Sequence, residues 1–352
     1  MHQLGQLMRG AIVTAEQSPI VSVCIANYNG IEIIDECILS VMKQLGEIPI
    51  EILVHDDAST DASATHIQAR YPNVVLMESH ENAGFCIANN RMVARARGQF
   101  VLLLNNDAAL FPDALQTLLS EAKRLGLPAI LTLPQYDATS GALIDRGCLL
   151  DPFFNPVPNL DAKRNDAAMV IGACLWIPKQ LWDELEGFPE WFGSIAEDMY
   201  LCCRARLEGY LVRSIATSGY RHWQGKSFGG NKPQDGRLIT TFRRRYLSER
   251  NKLRVMVLMP PSGRLVWLLP LHLMLCAAEA LVMCLVSGRW DYMRLVHWPA
   301  WREAWQARAA LRQEREQVQR RRRATSREFA HAFTWFPHKL TLLWRYGMPR
   351  LK

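Results

Sequence analysis

Short apolar runs, separated by segments with helical periodicity, organise the first part of the chain. The separating segments carry an apolar residue about every 3.6 positions, as in Ile33 to Leu45, and predict helices. Each run is bounded by turn residues, as expected for a strand buried on both faces of a parallel sheet. Four strands alternating with three helices predict a doubly wound α/β fold. The four runs are Pro19 to Ala26, Ile50 to Val54, Val74 to Met77 and Phe100 to Leu104.

Local signals predict the remaining elements. Ser59 or Thr60 is expected to cap the helix that runs on to residue 70. Cys202 and Cys203 are adjacent and are not expected to point inward together from one helix. We further expect strands at 128–133 and 169–177, a hairpin within 137–150, a surface loop at 151–166, and helices at 178–187 and 199–208.

Polar loops follow the first, second and fourth strands. Parallel strands present their carboxyl ends at one edge of a sheet, and ligands of open α/β sheets bind outside that edge. Asp107, which follows two amides, suits a hard divalent cation that itself holds phosphates. Asn and Asp are also ordinary turn residues, so each loop alone is compatible with turn chemistry. The loops are residues 27–29, 56–57 and 105–107, and no Gly-x-Gly-x-x-Gly follows the first strand, which argues against a dinucleotide oxidoreductase.

Two further candidate groups lie near the end of this region. Glu197 and Asp198 precede the predicted helix 199–208, where each carboxylate gains about 0.3–1 kcal/mol from the helix dipole. His222 lies in a Gly-containing stretch that reads as a loop, where a surface histidine is more common than a ligand. On residue chemistry alone, a structural and a functional role stay open for all three.

Composition indicates a globular protein of one large domain plus an appendage. The chain has 352 residues, of which 49% are hydrophobic, which is ample for a full core. The nine cysteines are scattered, with no pair at metal-ligand spacing, which favours a reduced, cytosolic setting. Residues 1–18 lack an apolar core of signal-peptide length and are expected to be a leader without a secretion signal.

Charge divides the chain into an acidic part and a strongly basic tail. Residues 237–352 contain 23 Lys and Arg against 7 Asp and Glu, a net of +16. Residues 1–236 contain 18 basic and 27 acidic residues, a net of −9. The tail also holds the most apolar segment, residues 265–286, and this combination points to a membrane surface with anionic lipids.

The apolar segment 265–286 is long enough to span a membrane. Glu279 lies within it and would be costly in hydrocarbon, and the flanking residues Arg264 and Arg289 are basic on both sides. We therefore expect a helix, or a bent helical pair, that lies in the interface rather than crossing the bilayer. Nucleic acid is the competing partner for the basic tail, but the apolar segment fits it poorly.

Six segments together resemble the family-2 glycosyltransferases, inverting enzymes with the GT-A fold, and most closely their bacterial rhamnosyltransferase-like branch. Each segment is a weak signal alone, but all six occur in the order and spacing of the family. They are VSVCIANYNG at 21–30, VHDDASTD at 54–61, ENAGFCIANN at 81–90, LLLNNDA at 102–108, AEDMYLCCRARLEGY at 196–210 and HWQGKS at 222–227.

The resemblance implies a role for each matching residue. Asp107 takes the last position of the family's Asp-x-Asp motif and, with His222, would hold Mg²⁺ or Mn²⁺. Asn105 replaces the first acidic position, which leaves fewer charges on the ion. Asp198 matches the catalytic base. The implied donor-binding residues are Ala26, Asn27, Tyr28, Asp56, Asp57, Asn82, Gly84, Asn90, Asn105 and Asn106, and the implied acceptor-side residues are Gly172, Trp191 and Glu197.

The resemblance also implies a domain organisation and a function. It predicts a leader at 1–18, a GT-A catalytic domain at 19–236 and a basic, helical, membrane-associated tail at 237–352. The donor-binding half of the domain would cover 19–135 and the acceptor half 136–236. The implied function is transfer of a sugar from a nucleotide-sugar donor, such as dTDP-rhamnose or a UDP-sugar, to a lipid-linked or polysaccharide acceptor in bacterial cell-surface glycan synthesis.

The implied partners are the nucleotide-sugar donor, a lipid-linked glycan acceptor and an anionic membrane surface, with no nucleic acid. We expect a peripheral or monotopic protein at the cytoplasmic face of the inner membrane, and a homo-oligomer is compatible with the sequence. The alternative function is a non-catalytic nucleotide-sugar-binding scaffold subunit of a membrane glycan-assembly complex. The presence of Asp107, Asp198 and His222 argues against that alternative.

Overall fold

A computed structural model describes residues 18–223, 233–234, 237–261, 263–288, 290–347 and 350–351. The chain divides into two compact units that alternate along the sequence. The first unit takes Met1–Cys148, Pro158–Gly193 and Tyr210–Trp223, and the second takes Leu149–Val157, Ser194–Gly209 and Gln224–Lys352.

Strands and helices alternate through the first unit, whereas helices dominate the second. In chain order the strands are β1 (Val21–Asn27), β2 (Ile50–Asp56), β3 (Val75–Glu78), β4 (Phe100–Asn105), β5 (Ala108–Leu110), β6 (Ala129–Thr132), β7 (Gln135–Asp137), β8 (Leu143–Asp145), β9 (Leu149–Leu150), β10 (Pro156–Val157), β11 (Cys174–Pro178), β12 (Leu211–Ser214), β13 (Tyr220–His222), β14 (Pro233–Gln234), β15 (Arg237–Thr240) and β16 (Arg350–Leu351). The α-helices are α1 (Ile34–Met42), α2 (Ser63–Arg70), α3 (Phe85–Arg95), α4 (Ala114–Leu125), α5 (Lys179–Glu184), α6 (Glu197–Leu207), α7 (Phe242–Leu258), α8 (Leu265–Ser287), α9 (Trp298–Gln306), α10 (Arg308–Arg320), α11 (Ser326–Ala330) and α12 (His338–Tyr346). A 3₁₀ turn lies at Glu190–Phe192 and a π-helical turn at Met293–His297.

A seven-stranded sheet forms the centre of the first unit. Its strand order is β12-β6-β11-β4-β1-β2-β3, and β11 alone runs antiparallel to its neighbours. The prediction of an α/β fold with a mostly parallel sheet is confirmed. In the register of the strands, Asn27 lies opposite Asp56, and Ala26 lies opposite Asn105. The three predicted polar loops therefore meet at one edge of the sheet.

The apolar pattern explains this core. All the residues of β1 except Ala26, and every residue of β2, are buried, as expected for strands covered on both faces. Ile34, Ile38 and Val41 on α1 follow helical spacing and join the buried cluster. Full burial of each such aliphatic side chain stabilises the fold by about 1.5–3 kcal/mol.

Two local predictions differ from the structure, and a third is confirmed. The strand expected at 169–177 is confined to β11, which begins at Cys174 because the chain before it forms a turn. Neither Ser59 nor Thr60 caps α2, whose N-cap is Ala62. Ser59 instead donates its backbone N–H and its hydroxyl to the Asp56 carboxylate at 2.9 and 2.7 Å, so the tight turn after β2 uses it. The predicted hairpin is confirmed as β7 and β8.

Helix α6 is buried on every side. Both Cys202 and Cys203 are fully buried, so the prediction that they cannot both point inward is wrong. The prediction assumed a helix with one solvent face, whereas all eleven residues of α6 are buried. Arg204 is compensated by Glu208 at 3.2 Å, and Arg206 donates to the backbone oxygen of Glu328 at 3.2 Å.

A four-stranded sheet, ordered β5-β13-β7-β8, lies beside the strand ends of the first unit. His222 was predicted to lie in a loop, but it is the last residue of β13 and is buried. The cause is long-range pairing: β13 runs antiparallel to β5, with His222 opposite Ala108, and parallel to β7. Tyr220 to His222 alone are too short to indicate a strand without these partners.

Helices α7 to α12 form most of the second unit. Helix α7, the first helix of the basic tail, begins at Phe242, where the Thr241 hydroxyl accepts from the Arg244 N–H at 3.2 Å as an N-cap. Pro260 and Pro261 follow α7. Helix α8 continues through Pro270, and its Leu265–Val286 segment has a mean hydropathy of 2.1, apolar and long enough to cross a membrane.

Candidate functional site

Asn27 joins the three polar strand ends through side-chain hydrogen bonds. Its Nδ2 donates to Asp56 Oδ2 at 2.8 Å and to the Ser63 hydroxyl at 3.0 Å. Its Oδ1 accepts from Asn106 Nδ2 at 2.9 Å. Asn27, Asp56 and Asn106 are all buried, so this network holds the ends of β1, β2 and β4 in one geometry. The structure therefore brings together residues that the sequence placed in three separate loops.

Gly30 makes this network possible. A Cβ at this position would lie 2.1 Å from Asn27 Oδ1 and 2.6 Å from Asn106 Nδ2. Because those atoms form the central hydrogen bond of the strand-end network, any side chain at Gly30 would displace it. Sequence reasoning did not select Gly30, although its place directly after the Asn27–Asn29 loop was a usable signal.

Asp57 anchors the loop before α3. Its Oδ1 accepts from the Ala83 N–H and its Oδ2 from the Gly84 N–H, both at 2.8 Å. Gly84 has φ +90°, a conformation that favours glycine, and it is the N-cap of α3. Asp57 was predicted to contact the nucleotide, and the structure gives both its oxygens a protein partner. A carboxylate has about four acceptor positions, so Asp57 can still accept from a ligand.

Asp107 and His222 form a buried pair. The distance from His222 Nε2 to Asp107 Oδ1 is 3.0 Å, and the Trp223 N–H donates to the Asp107 backbone oxygen at 2.9 Å. His222 Nδ1 is buried and has no hydrogen-bond partner among the described residues. Adjacent ligands about 2.1 Å from an octahedral ion lie about 3 Å apart, so the pair fits two positions of a divalent-cation shell. A carboxylate with an imidazole suits Mn²⁺ somewhat better than Mg²⁺.

The other predicted donor residues in these loops surround the strand ends. Ala26 is half-buried at the end of β1, and Asn105 at the end of β4 has a buried Oδ1 without a hydrogen-bond partner among the described residues. The Tyr28 side chain is 48% exposed, so its ring is accessible to a ligand. Asn82 is exposed in the loop that Asp57 anchors.

Asn90 has a structural role in the chain as described. Its Nδ2 donates to the Phe188 backbone oxygen at 2.7 Å, and its Oδ1 accepts from the Phe188 N–H at 3.1 Å. A Cβ at Gly187 would lie 2.9 Å from Asn90 Oδ1, so this turn approaches the amide closely. Asn90 therefore fixes the segment that leads to Trp191.

The predicted acceptor-side residues of the first unit lie near α3. Gly172 is buried, and a Cβ there would lie 3.4 Å from the Phe85 ring. Trp191 is half-buried and stacks on Phe192, with 3.9 Å between ring centroids. Glu197, the third predicted acceptor-side residue, belongs to the second unit together with Asp198.

A strained turn precedes Asp198. Ile195 and Ala196 have φ of +73° and +72°, which is unfavourable for residues with a side chain. Asn251 on α7 stabilises the turn, because its Nδ2 donates to the backbone oxygens of Ser194 at 2.9 Å and Ile195 at 2.6 Å. Asn251 is fully buried. Strained backbone that depends on a buried amide is common at functional sites.

Glu197 and Asp198 are two buried carboxyl groups at the first turn of α6. Burial and the nearby Asp198 charge raise the pKa of Glu197 to about 8, and its Oε2 has no hydrogen-bond partner among the described residues. Arg244 on α7 is the opposing charge, and burial lowers its pKa. At pH 7 Glu197 therefore keeps its proton, which removes the like-charge repulsion that Asp198 would otherwise experience.

Asn251→Ala is expected to lower turnover by about tenfold or more, because it removes two hydrogen bonds that hold the turn before Asp198, each worth about 0.5–1.5 kcal/mol. Steady-state kinetics and thermal unfolding should be measured together. The matched control is Asn159→Ala, since Asn159 is also buried and donates to a backbone oxygen, that of Arg164, at 2.9 Å. Equal losses of turnover in the two variants would contradict a specific role for Asn251 in placing Asp198.

Comparison with known proteins relates part of the chain to one family. The profile of glycosyl transferase family 2 matches residues 22–180, which are a little under half of the chain. Residues 22–180 are called the family segment below. The family segment contains the strand-end network, Asp107 and Gly172, and it ends before Trp191, Asp198 and His222.

Two bacterial relatives are similar to about half of the chain. Chondroitin synthase of Escherichia coli is 30% identical over 53% of this chain and 27% of its own length. An N-acetylglucosaminyl-diphospho-decaprenol L-rhamnosyltransferase of Mycobacterium tuberculosis is 25% identical over 55% of this chain and 73% of its own. This chain thus spans about a quarter of the synthase, and its similarity to either relative covers little more than half of the chain.

Solved structures show that the fold is GT-A. Residues 1–349 of Staphylococcus aureus TarS, in complex with UDP, align with a TM-score of 0.50 at 17% identity, over 71% of this chain and 69% of that one. GalNAc-T7 with UDP, GalNAc and Mn²⁺ aligns with a TM-score of 0.54 at 16% identity, over 70% and 49%. At these identities the likeness concerns the fold. The GT-A fold expected from the family resemblance is confirmed.

Proposed function

We propose that this chain is an inverting glycosyltransferase that moves a sugar from a nucleoside-diphosphate donor to a lipid-linked or polysaccharide acceptor in bacterial cell-surface glycan synthesis. One observation carries the proposal: three strand ends, joined through Asn27, lie in the family segment, and Asp107, which directly follows the third of them, pairs with the buried His222. That arrangement offers acceptors for a nucleoside and ligands for a diphosphate-bound cation at one sheet edge.

The donor nucleoside would bind at the strand-end network. Asp56 and Asp57 would accept hydrogen bonds from a base N–H and from ribose hydroxyls, since each carboxylate retains acceptor positions beyond its protein partners. The accessible ring of Tyr28 would stack on the base. Because these groups are held by buried hydrogen bonds, the site would be formed before the donor arrives.

Asp107 and His222 would hold Mn²⁺ or Mg²⁺ when the donor is bound, as their 3.0 Å separation allows. A divalent ion there supplies charge that neutralises the diphosphate as it leaves. Support also comes from GalNAc-T7, whose described complex contains UDP and Mn²⁺. A single carboxylate provides little negative charge for a divalent ion, so cation affinity without nucleotide should be low.

Asp198 would act as the general base. Its carboxylate would take the proton from an acceptor hydroxyl as the hydroxyl oxygen forms a bond to the anomeric carbon of the donor. The bond from that carbon to the diphosphate oxygen breaks on the opposite face, so the configuration inverts without a covalent intermediate on the protein. The Asn251 contacts to Ser194 and Ile195 would hold this base in place.

The acceptor would be attached to a lipid at a membrane. The similarity to a decaprenol-linked rhamnosyltransferase, together with the apolar helix α8, supports a lipid-linked glycan as the acceptor and a peripheral or monotopic location. A reduced, cytoplasmic-face setting agrees with nine cysteines that are all buried and not joined in disulfides. We propose dTDP-rhamnose or a UDP-sugar as the donor, because of the similarity to the rhamnosyltransferase.

Calorimetric binding of UDP, dTDP and GDP to the full chain, with and without Mn²⁺ or Mg²⁺, tests the donor site. We expect one nucleotide to bind in a metal-dependent manner, and the base preference would identify the donor class. Binding of no nucleotide by protein shown to be folded would contradict the transferase proposal and favour the scaffold-subunit function instead.

A further inference from the structure

Helix α8 has an inverted distribution of polarity. One side is apolar and exposed, and this outward stripe runs along the helix at intervals of three and four residues. The side chains of a helix in a water-soluble protein are normally arranged the other way round, with the apolar side inward. The large apolar residues of the outward stripe are Val266, Trp267, Leu271, Met274, Leu275, Leu281, Val282, Leu285 and Val286.

The polar residues of α8 point inward instead. Glu279 accepts from Arg245 at 2.7 Å, from Lys339 at 2.8 Å and from the Tyr292 hydroxyl at 3.0 Å. Cys276 and His272, about one and two turns before Glu279, are buried on the same side. Glu279, which the sequence marked as costly in hydrocarbon, is therefore satisfied within the protein.

The inward polar groups form an ion network around Glu249 of α7. Lys252 and Lys339 hold the two Glu249 oxygens at 2.8 and 2.7 Å. Cys276 Sγ and His272 Nε2 lie 3.5 Å apart beside that carboxylate, a spacing that would also suit a metal ion. The ammonium groups of Lys252 and Lys339 already bind the Glu249 carboxylate and would repel a metal cation. We therefore interpret the cluster as an ion network and not as a metal site.

This network rules out a transmembrane position for α8. His272, Cys276 and Glu279 lie in the middle third of the helix, so a spanning α8 would carry α7 to the centre of the bilayer. Helix α7 has the sequence FRRRYLSERNKLRVMVL, with six Lys or Arg, and cannot enter hydrocarbon. Helix α8 can have lipid on its outward side and protein on its inward side only if it lies along the membrane surface.

The second unit carries other features of an interfacial surface. Of the 21 large hydrophobic residues that are exposed in the described chain, 18 lie between Val266 and Trp344. Six tryptophans are among them, and the Arg308 guanidinium lies 4.7 Å from the Trp305 ring centroid. Arg264, Arg294 and Arg345 are exposed beside the apolar residues. Tryptophan with arginine is typical of the headgroup region, and exposed arginines attract anionic lipids.

We propose that α8 lies in the plane of an anionic phospholipid membrane, with its outward stripe among the acyl chains and its ion network facing the protein. The proposal deepens the proposed function, on which it rests for the presence of a membrane acceptor. It specifies which residues contact lipid, and it places both ends of α8 on the same side of the bilayer. A second copy of the chain is the competing occupant of the stripe.

Flotation with vesicles tests the lipid contact. The triple variant Leu275→Gln, Leu281→Gln, Leu285→Gln should bind phosphatidylglycerol-containing vesicles at least about tenfold more weakly than wild type, because it removes apolar side chains from the stripe. The matched control is Leu127→Gln with Leu160→Gln, two exposed leucines of the first unit. Equal binding by wild type and the triple variant would overturn the proposal. So would a lipid-independent dimer that the triple variant disrupts.

Labelling from each side of the membrane tests the in-plane position. Arg264→Cys and Trp290→Cys place an exposed thiol at either end of α8, in a chain whose nine cysteines are buried. A membrane-impermeant maleimide should label both positions in inverted inner-membrane vesicles and neither in intact cells. Labelling of the two positions from opposite sides would show a spanning helix and overturn the proposal. The readout needs no transferase activity, so failure here is distinct from failure of nucleotide binding.

Discussion

Asp198→Asn is expected to lower the rate of sugar transfer by about 10²-fold or more, because general-base catalysis contributes about 10²–10⁴-fold. Asparagine is nearly isosteric with aspartate, so the buried first turn of α6 and the strained turn before it should persist. The affinity for the nucleotide should be unchanged, since the donor loops belong to the other unit. Initial rates of nucleoside-diphosphate release with acceptor present, together with calorimetric nucleotide binding, measure both quantities.

Glu197→Gln is the matched control for Asp198→Asn. Burial and Asp198 raise the pKa of Glu197 to about 8, so at pH 7 the side chain is mostly protonated and glutamine resembles that form. The variant should keep transfer within several-fold of wild type at pH 7. Above pH 8 the wild-type Glu197 ionises beside Asp198, and only wild type should change its rate there. Near wild-type transfer by Asp198→Asn, or a larger loss in Glu197→Gln, would contradict the assignment of the base.

Asp107→Asn should weaken metal-dependent binding of the preferred nucleoside diphosphate by about ten- to a hundredfold. The substitution keeps the shape of the side chain but removes the single carboxylate of the pair with His222, and contacts to a charged group contribute about 1.5–3 kcal/mol. The difference in affinity with and without Mn²⁺ should shrink, while metal-independent binding through the nucleoside persists. Titration calorimetry at fixed ionic strength measures both.

Asp145→Asn serves as the control for Asp107→Asn. Asp145 is another buried aspartate of the first unit, on β8, whose Oδ1 accepts from the Asn159 N–H at 2.8 Å. Burial raises the pKa of Asp145, so an amide there should be tolerated and nucleotide binding should be unchanged. If Asp107→Asn binds nucleotide and metal as wild type does, Asp107 is not the cation ligand and its bond to His222 is structural.

The sequence alone supported the order of elements and the location of the polar loops that we propose bind the donor. Strands β1, β2 and β4 have apolar runs and their helices have 3.6-residue periodicity, and both patterns depend on local chemistry. Parallel strands of a doubly wound sheet end at one edge. The sequence alone therefore predicted that the polar loops at 27, 56 and 105 lie together, as the register of the strands shows. The order of the motifs also indicated the resemblance to family-2 glycosyltransferases, and the profile of that family covers the same loops.

Tertiary contacts decided the roles of individual side chains. The sequence analysis gave Asp56 and Asp57 the same role in donor binding. The structure shows that their contacts differ: Asp56 accepts from Asn27, and Asp57 anchors the loop at Gly84. His222 became part of a strand because β5 and β7 lie on either side of it. Asn251 lies 53 residues after Asp198 in a basic helix, and no local pattern connects the two.

The direction in which α8 faces was the clearest limit of the sequence. Its composition indicated contact with a membrane, but composition does not reveal that Glu279 meets Arg245 and Lys339 from distant helices. Local periodicity and turn chemistry depend on neighbouring residues, so the sequence by itself determined the α/β series, the polar loops at the strand ends and the apolar, basic tail. Hydrogen bonds and burial between distant segments depend on the folded chain, so only the tertiary structure decided which polar groups are satisfied and which surfaces remain exposed.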